Sequence, residues 1–135
     1  MSYRIDELEG LTPSEQDGLE AVGICTTGEL LATCSTEDGR RRVAEESGLA
    51  PSRLLACVHL ADLMRIDGVG RQYAELLGES GAATLVCLRR QRPNDLADRV
   101  RRVNRRLGLA KTTPSPSTIE RWVDEARLLP PRVYA

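Results

Sequence analysis

Apolar residues along this chain recur at spacings of three and four, so nearly every stretch reads as helix. The clearest stripe is Leu96, Val100, Val103 and Leu107. It predicts a helix capped by Asn94 and running to Leu107, with Arg99, Arg101, Arg102, Arg105 and Arg106 off the stripe and in solvent. Thr12-Pro13-Ser14-Glu15 has the form of a capping box with proline at the first helical position. Its helix should reach Val22 and stop at Gly23. Thr26-Thr27-Gly28-Glu29 reads as a second box, opening a short helix to Cys34. A third helix covers Thr36 to Ser47 and stops at Gly48, and Pro51 or Ser52 opens a longer one to Ile66. Further on, helices are expected from Arg71 to Gly78, from Thr84 to Gln91, and from a cap at Ser117, with Ile119, Val123 and Ala126 inward. The run Thr84 to Leu88 would also tolerate a strand.

The pattern repeats. Shifted by 58 residues, Glu9-Gly10-Leu11-Thr12 falls on Asp67-Gly68-Val69-Gly70, Leu19 on Leu77, Gly23 on Gly81, Thr26 on Thr84 and Leu30 on Leu88. Later the offset grows to 60, with Gly48-Leu49-Ala50 on Gly108-Leu109-Ala110, and then to 65, with Pro51-Ser52 on Pro116-Ser117. There Leu54 meets Ile119, Val58 meets Val123, Ala61 meets Ala126 and Leu63 meets Leu128. The second copy ends in Pro130-Pro131, which cannot continue a helix. Such duplication usually means stacked helical units with a common core. The fold class expected is all-α: tandem helix-hairpin-helix repeats with orthogonal helices, over residues 1–62 and 63–135, sharing one core as one compact unit.

Composition narrows the function. With no Phe and only 3% aromatic residues, Leu, Val, Ile and Ala must fill the core, and a stacking platform for single-stranded nucleic acid is disfavoured. The apolar runs are too short for a membrane span, and the first residues do not resemble a signal peptide, so a cytoplasmic protein is expected. The four cysteines, Cys25, Cys34, Cys57 and Cys87, lack metal-binding or redox spacing and are expected to be reduced and buried or half-buried. His59 is the sole histidine, and roughly 200° of helical turn separates it from Cys57. No nucleophile–base pair is legible, so a non-catalytic protein without cofactor or metal is expected. Net charge is −1 but uneven: residues 1–64 hold 12 acids and 5 bases, and residues 65–135 hold 8 acids and 14 bases. A dipole of this kind bears on partners rather than on fold.

The two glycine turns differ in a way that matters for chemistry. Gly68-Val69-Gly70 lets the chain reverse tightly and brings backbone N–H groups to the start of the next helix, where the helix dipole favours an anion. Arg71 stands at that start and can add a charge-assisted contact. In the first turn Thr12 replaces Gly70 and Pro13 replaces Arg71. The Thr12 hydroxyl would take an amide that a phosphate needs, and Glu15 would bring negative charge where the second copy has Tyr73. Hairpin 1 is therefore expected to be structural. The candidate phosphate-binding residues are Gly68, Val69, Gly70 and Arg71, with Arg99, Arg102, Arg105 and Arg106 on neighbouring phosphates. The plainer reading of those arginines is a solvated face, with Asp95 and Asp98 pairing to Arg99 and Arg102.

Over almost its whole length the chain resembles the uncharacterised bacterial family DUF4332, a domain of unknown function. The resemblance is carried by Ala61 to Gly70, the opening Tyr3 to Gly10, the Thr26-Thr27 cap, and the Pro116-Ser117 helix with Trp122. It implies a helix-hairpin-helix fold and a nucleic-acid role without an established activity. Members commonly carry Gly-apolar-Gly in the first hairpin too, and Leu11-Thr12-Pro13 departs from that. Two functions follow. One is a module that binds nucleic-acid backbone without sequence specificity through hairpin 2. The other is a protein-interaction or scaffold module, with self-association through the acidic and basic halves.

Overall fold

The computed structural model describes residues 2–8 and 10–134. Glu9, matched to Asp67 in the repeat, lies outside them. Eight α-helices are present among the described residues: Pro13–Ala21 (α1), Thr27–Cys34 (α2), Glu37–Ser47 (α3), Pro51–Leu63 (α4), Arg71–Glu79 (α5), Leu85–Arg89 (α6), Pro93–Leu107 (α7) and Pro116–Leu128 (α8). A 3-10 turn, Ile5–Glu7, precedes them. The only extended pairing among the described residues is an isolated bridge between Arg4 and Thr26. The protein is all-helical, and Leu85 to Arg89 is helix rather than strand.

Local chemistry explains the helix starts. The hydroxyls of Thr12, Thr36, Thr84 and Ser115 accept the N–H three residues on, at 3.1, 3.1, 3.0 and 3.2 Å. Two starts differ from expectation. α7 begins at Pro93 behind Arg92, so Asn94 lies inside the helix, and α8 begins at Pro116 behind Ser115, which caps it in place of Ser117. In both, proline takes the first helical position, where its fixed φ helps and its missing N–H costs nothing. The second box is only half formed. Thr26 accepts the Glu29 N–H at 3.1 Å, but the Glu29 carboxylate turns to the Cys25 N–H at 3.1 Å and the Thr26 hydroxyl at 3.2 Å. α4 ends at Leu63, three residues short of Ile66, because the chain tightens into Arg65 N–H to Asp62 carbonyl and Ile66 N–H to Leu63 carbonyl bonds.

One buried apolar cluster draws on both halves. Leu19 and Leu77, Leu30 and Leu88, and Val58 and Val123, matched in sequence, are all fully buried in it. Left-handed glycines also fall at matching places: Gly10 and Gly68 at φ 82° and 85°, Gly23 and Gly81 at 87° and 92°, Gly48 and Gly108 at 82° and 62°. Two matches fail. Leu107, the last residue of the α7 stripe, is 45% exposed because it sits at the helix end beside Gly108. Leu128 is 83% exposed where its counterpart Leu63 is buried. Leu63 leads straight into hairpin 2, whereas Leu128 precedes the prolines that turn the chain away. The remaining segment, 129–134, returns as an extended strap over the first half, and Leu129 and Val133 pack on the core.

Candidate nucleic-acid interface

Hairpin 1 is closed by its own side chains. Thr12 accepts the Glu15 N–H at 3.1 Å, and the Glu15 carboxylate accepts the Thr12 N–H at 2.9 Å. Arg53 of α4 then locks the turn. Its Nε donates to Glu15 at 3.0 Å, and its Nη2 donates to the Gly10 carbonyl. The guanidinium of Arg53 and the Thr12 N–H hold the Glu15 carboxyl below the usual range. A depressed carboxyl stabilises the fold above its unfolded pKa, and that contribution is lost as pH falls through the folded value. Sequence reasoning anticipated the Thr12–Glu15 exchange but missed Arg53, which is 38 residues away with no local signal.

Hairpin 2 is open at the same place. Gly70 is the cap residue of α5, extended at φ −91°, and offers no side chain to the helix start. Tyr73 stands where hairpin 1 has Glu15, but its hydroxyl donates away, to the Thr112 carbonyl at 2.9 Å. Gly68, Gly70, Arg71, Gln72 and Tyr73 line an open hollow of about 400 Å³. Val69 points inward and is fully buried, so its part is to anchor the turn rather than to touch a ligand. Beneath the turn, the Trp122 ring meets Tyr73 with centroids 5.2 Å apart. The Trp122 indole nitrogen is buried without a hydrogen-bond partner, 3.5 Å from where a side chain on Gly68 would begin. Glu125, one turn on, accepts the Asp67 N–H at 3.3 Å with both oxygens. Arg71 also faces acidity: its charge reaches Asp6, whose carboxyl is held low first by the hydrogen bond from Arg4 and more weakly by Arg71.

The arginines divide into two sets. Arg99 is half-buried, donating from Nε to the Ser80 carbonyl at 3.0 Å and from Nη2 to Gln91. It ties α7 to the end of α5 and does not belong to a solvent-facing cationic row. Asp98 pairs with Arg101 at 3.1 Å rather than with Arg102; both lie one turn on, within reach of the same carboxylate, and it takes the nearer in sequence. Arg102, Arg105 and Arg106 are exposed. Arg99 touches the C-terminal end of α5, and Thr112, just past α7, is bonded to Tyr73 in the first turn of α5. The two helices therefore run in opposite directions. Arg102 and Arg106, three and seven residues beyond Arg99, continue its flank toward hairpin 2. Arg105 lies on the next stripe, with Arg101.

Other reactive groups are quiet. All four cysteines are free; Cys34 and Cys57 are buried, and burial pushes both thiols up to about 11. Cys25 and Cys87 are exposed, contrary to the expectation of burial. Cys25 lies in the turn between α1 and α2 beside buried Ile24, and Cys87 lies on the outer side of α6, whose Leu85 and Leu88 fill the core. Burial lowers the His59 pKa. No group of three His, Cys, Asp or Glu able to hold a metal occurs among the described residues. Among the described residues no helix is long and apolar enough to cross a membrane.

The family model for the domain of unknown function DUF4332 matches residues 9–129, and the chain belongs to that family. No curated protein and no solved structure matches it.

Proposed function

We propose that this chain is a cytoplasmic, non-catalytic tandem helix-hairpin-helix module that holds a nucleic-acid backbone phosphate at hairpin 2, without reading sequence. The observation that carries this reading is the contrast between the two helix starts. In hairpin 1 a carboxylate of the chain itself, Glu15, sits on the cap N–H at 2.9 Å. In hairpin 2 the matching start has no side-chain cap and opens onto a hollow lined by Gly68, Gly70 and Arg71. A helix start whose cap residue carries no side chain, with a guanidinium beside it, suits a phosphate oxygen. Arg102 and Arg106 supply charge along the flank that leads there, and Arg105 adds to the long-range field.

Fluorescence anisotropy with labelled duplex DNA over a salt series tests the reading. If three phosphates are neutralised, the log–log slope is expected to be roughly −3. Arg71→Glu should weaken binding by about tenfold at low salt and make the slope shallower by about 1. Absence of binding at low salt would remove the proposal.

A second reading, a protein-interaction module, is favoured by a cleft of about 500 Å³ between α4 and α5. Ala56, Leu60, Gly78 and Ala83 give it an apolar floor, and Glu75 and Glu79 lie on its rim. Self-association through the acidic and basic halves would then depend on salt and on protein concentration, with no response to DNA.

A further inference from the structure

Past α8 the chain stays on the body of the molecule. Along segment 129–134 the residues alternate between half-buried and exposed. The backbone of the exposed, even-numbered residues is gripped at each step. Arg65 donates to the Pro130 carbonyl at 2.8 Å, and Asp62 accepts the Arg132 N–H at 3.2 Å. The Ser35 carbonyl accepts the Tyr134 N–H at 2.6 Å, and Arg40 donates to the Tyr134 carbonyl at 2.8 Å. Asp62 is 1% exposed and Arg40 8% exposed. Buried charges persist only where hydrogen bonds satisfy them, and here main-chain groups of the strap supply part of that satisfaction. The Arg132 and Tyr134 side chains stay outside, so the strap is held through its backbone.

The same groups reach hairpin 2. One oxygen of Asp62 takes the Arg132 N–H and the other takes Arg65 at 2.7 Å. Arg65 lies three residues before Gly68, and its own N–H donates to the Asp62 carbonyl at 3.3 Å. From the other side, Glu125 on α8, four residues before the strap, holds the Asp67 N–H. The entry to hairpin 2 thus lies between a carboxylate under the strap and a carboxylate on the helix that leads into it. Hairpin 1 is latched instead by Arg53 of its own half.

We infer that segment 129–134 is a clasp that sets the geometry of hairpin 2. Docked, it fixes Arg65 and the end of α8, and through them the turn from Asp67 to Gly70. Lifted, it lets that turn open. The inference rests on the proposed function only in taking hairpin 2 as the ligand site.

Amide hydrogen exchange on the full chain tests it. Arg132→Pro deletes the N–H that Asp62 accepts, on an exposed residue of an extended segment, and leaves the core whole. Exchange at Tyr134 should rise by roughly tenfold or more, as expected for losing one hydrogen bond to a charged group, and the Asp67 and Val69 amides should rise with it. The Thr12 and Glu15 amides of hairpin 1 should keep their rates. Arg40→Ala, at the far end of the strap, should give the same pattern; if it fails to fold, Arg132→Pro decides alone. A faster Tyr134 with Asp67 and Val69 unchanged overturns the inference, as does no change anywhere. No nucleic acid enters the experiment, so its outcome is separate from whether hairpin 2 binds phosphate.

Discussion

Replacing Trp122 with alanine should lower the unfolding free energy by about 3–5 kcal/mol, the usual range for a buried aromatic truncated in a core. Trp122 is 1% exposed and is the largest side chain in a core that has no phenylalanine. It lies under Tyr73 and against Gly68, so the cavity opens directly beneath hairpin 2. Against a total stability of about 5–15 kcal/mol for a domain, such a loss removes much of the margin. Trp122→Phe should cost less, since it keeps most of the ring area and deletes an indole N–H that has no partner. Urea unfolding followed by far-ultraviolet circular dichroism measures both. A loss for alanine of only about 1 kcal/mol, below the range for a packed aromatic, would mean that the core is not organised around this residue.

Two glycine-to-alanine changes inside helices should have opposite signs. Alanine is normally the better helix residue, by about 1 kcal/mol. Gly78 in α5 has room, since a Cβ there meets nothing nearer than Ala83 at 4.0 Å. Gly78→Ala should therefore stabilise. Gly39 in α3 does not have room. A Cβ there would lie 2.1 Å from the Thr33 carbonyl and 3.2 Å from the Thr36 hydroxyl that caps the helix. Both obstacles belong to the tight α2–α3 junction and cannot swing away as a long side chain would. Gly39→Ala should destabilise by about 2 kcal/mol or more, in the range for overpacking. Thermal melts of the two variants beside the parent chain give the comparison, and stabilisation at Gly39 would contradict the packing described.

Much of this architecture could be read in the chain because its signals are local. Thr12, Thr36 and Thr84 cap through atoms three residues away, and the glycines that stop helices do so by their own φ. The starts of α7 and α8 each slipped by two residues because Asn94 and Ser117 are good caps that stand beside prolines which set the start more firmly. The candidate site was legible only in part. Gly70 and Tyr73 show in sequence that hairpin 2 lacks the self-capping pair of hairpin 1. The latches on both hairpins are long-range: Arg53 on Gly10, Glu125 on Asp67 and the strap on Asp62 join residues far apart in the chain. Arg99 was misread for a related reason. Helical spacing puts it beside the apolar stripe, and only the approach of α5 turns it into a packing contact.

The central claim is that the two hairpins are unequal and that hairpin 2 alone accepts an anion. Amide chemical-shift mapping during titration with a short DNA duplex at low salt tests it most directly. The expected result is movement of the Gly68, Gly70, Arg71 and Gln72 amides, with Thr12 and Glu15 fixed. Movement confined to hairpin 1, or at neither hairpin, would contradict it.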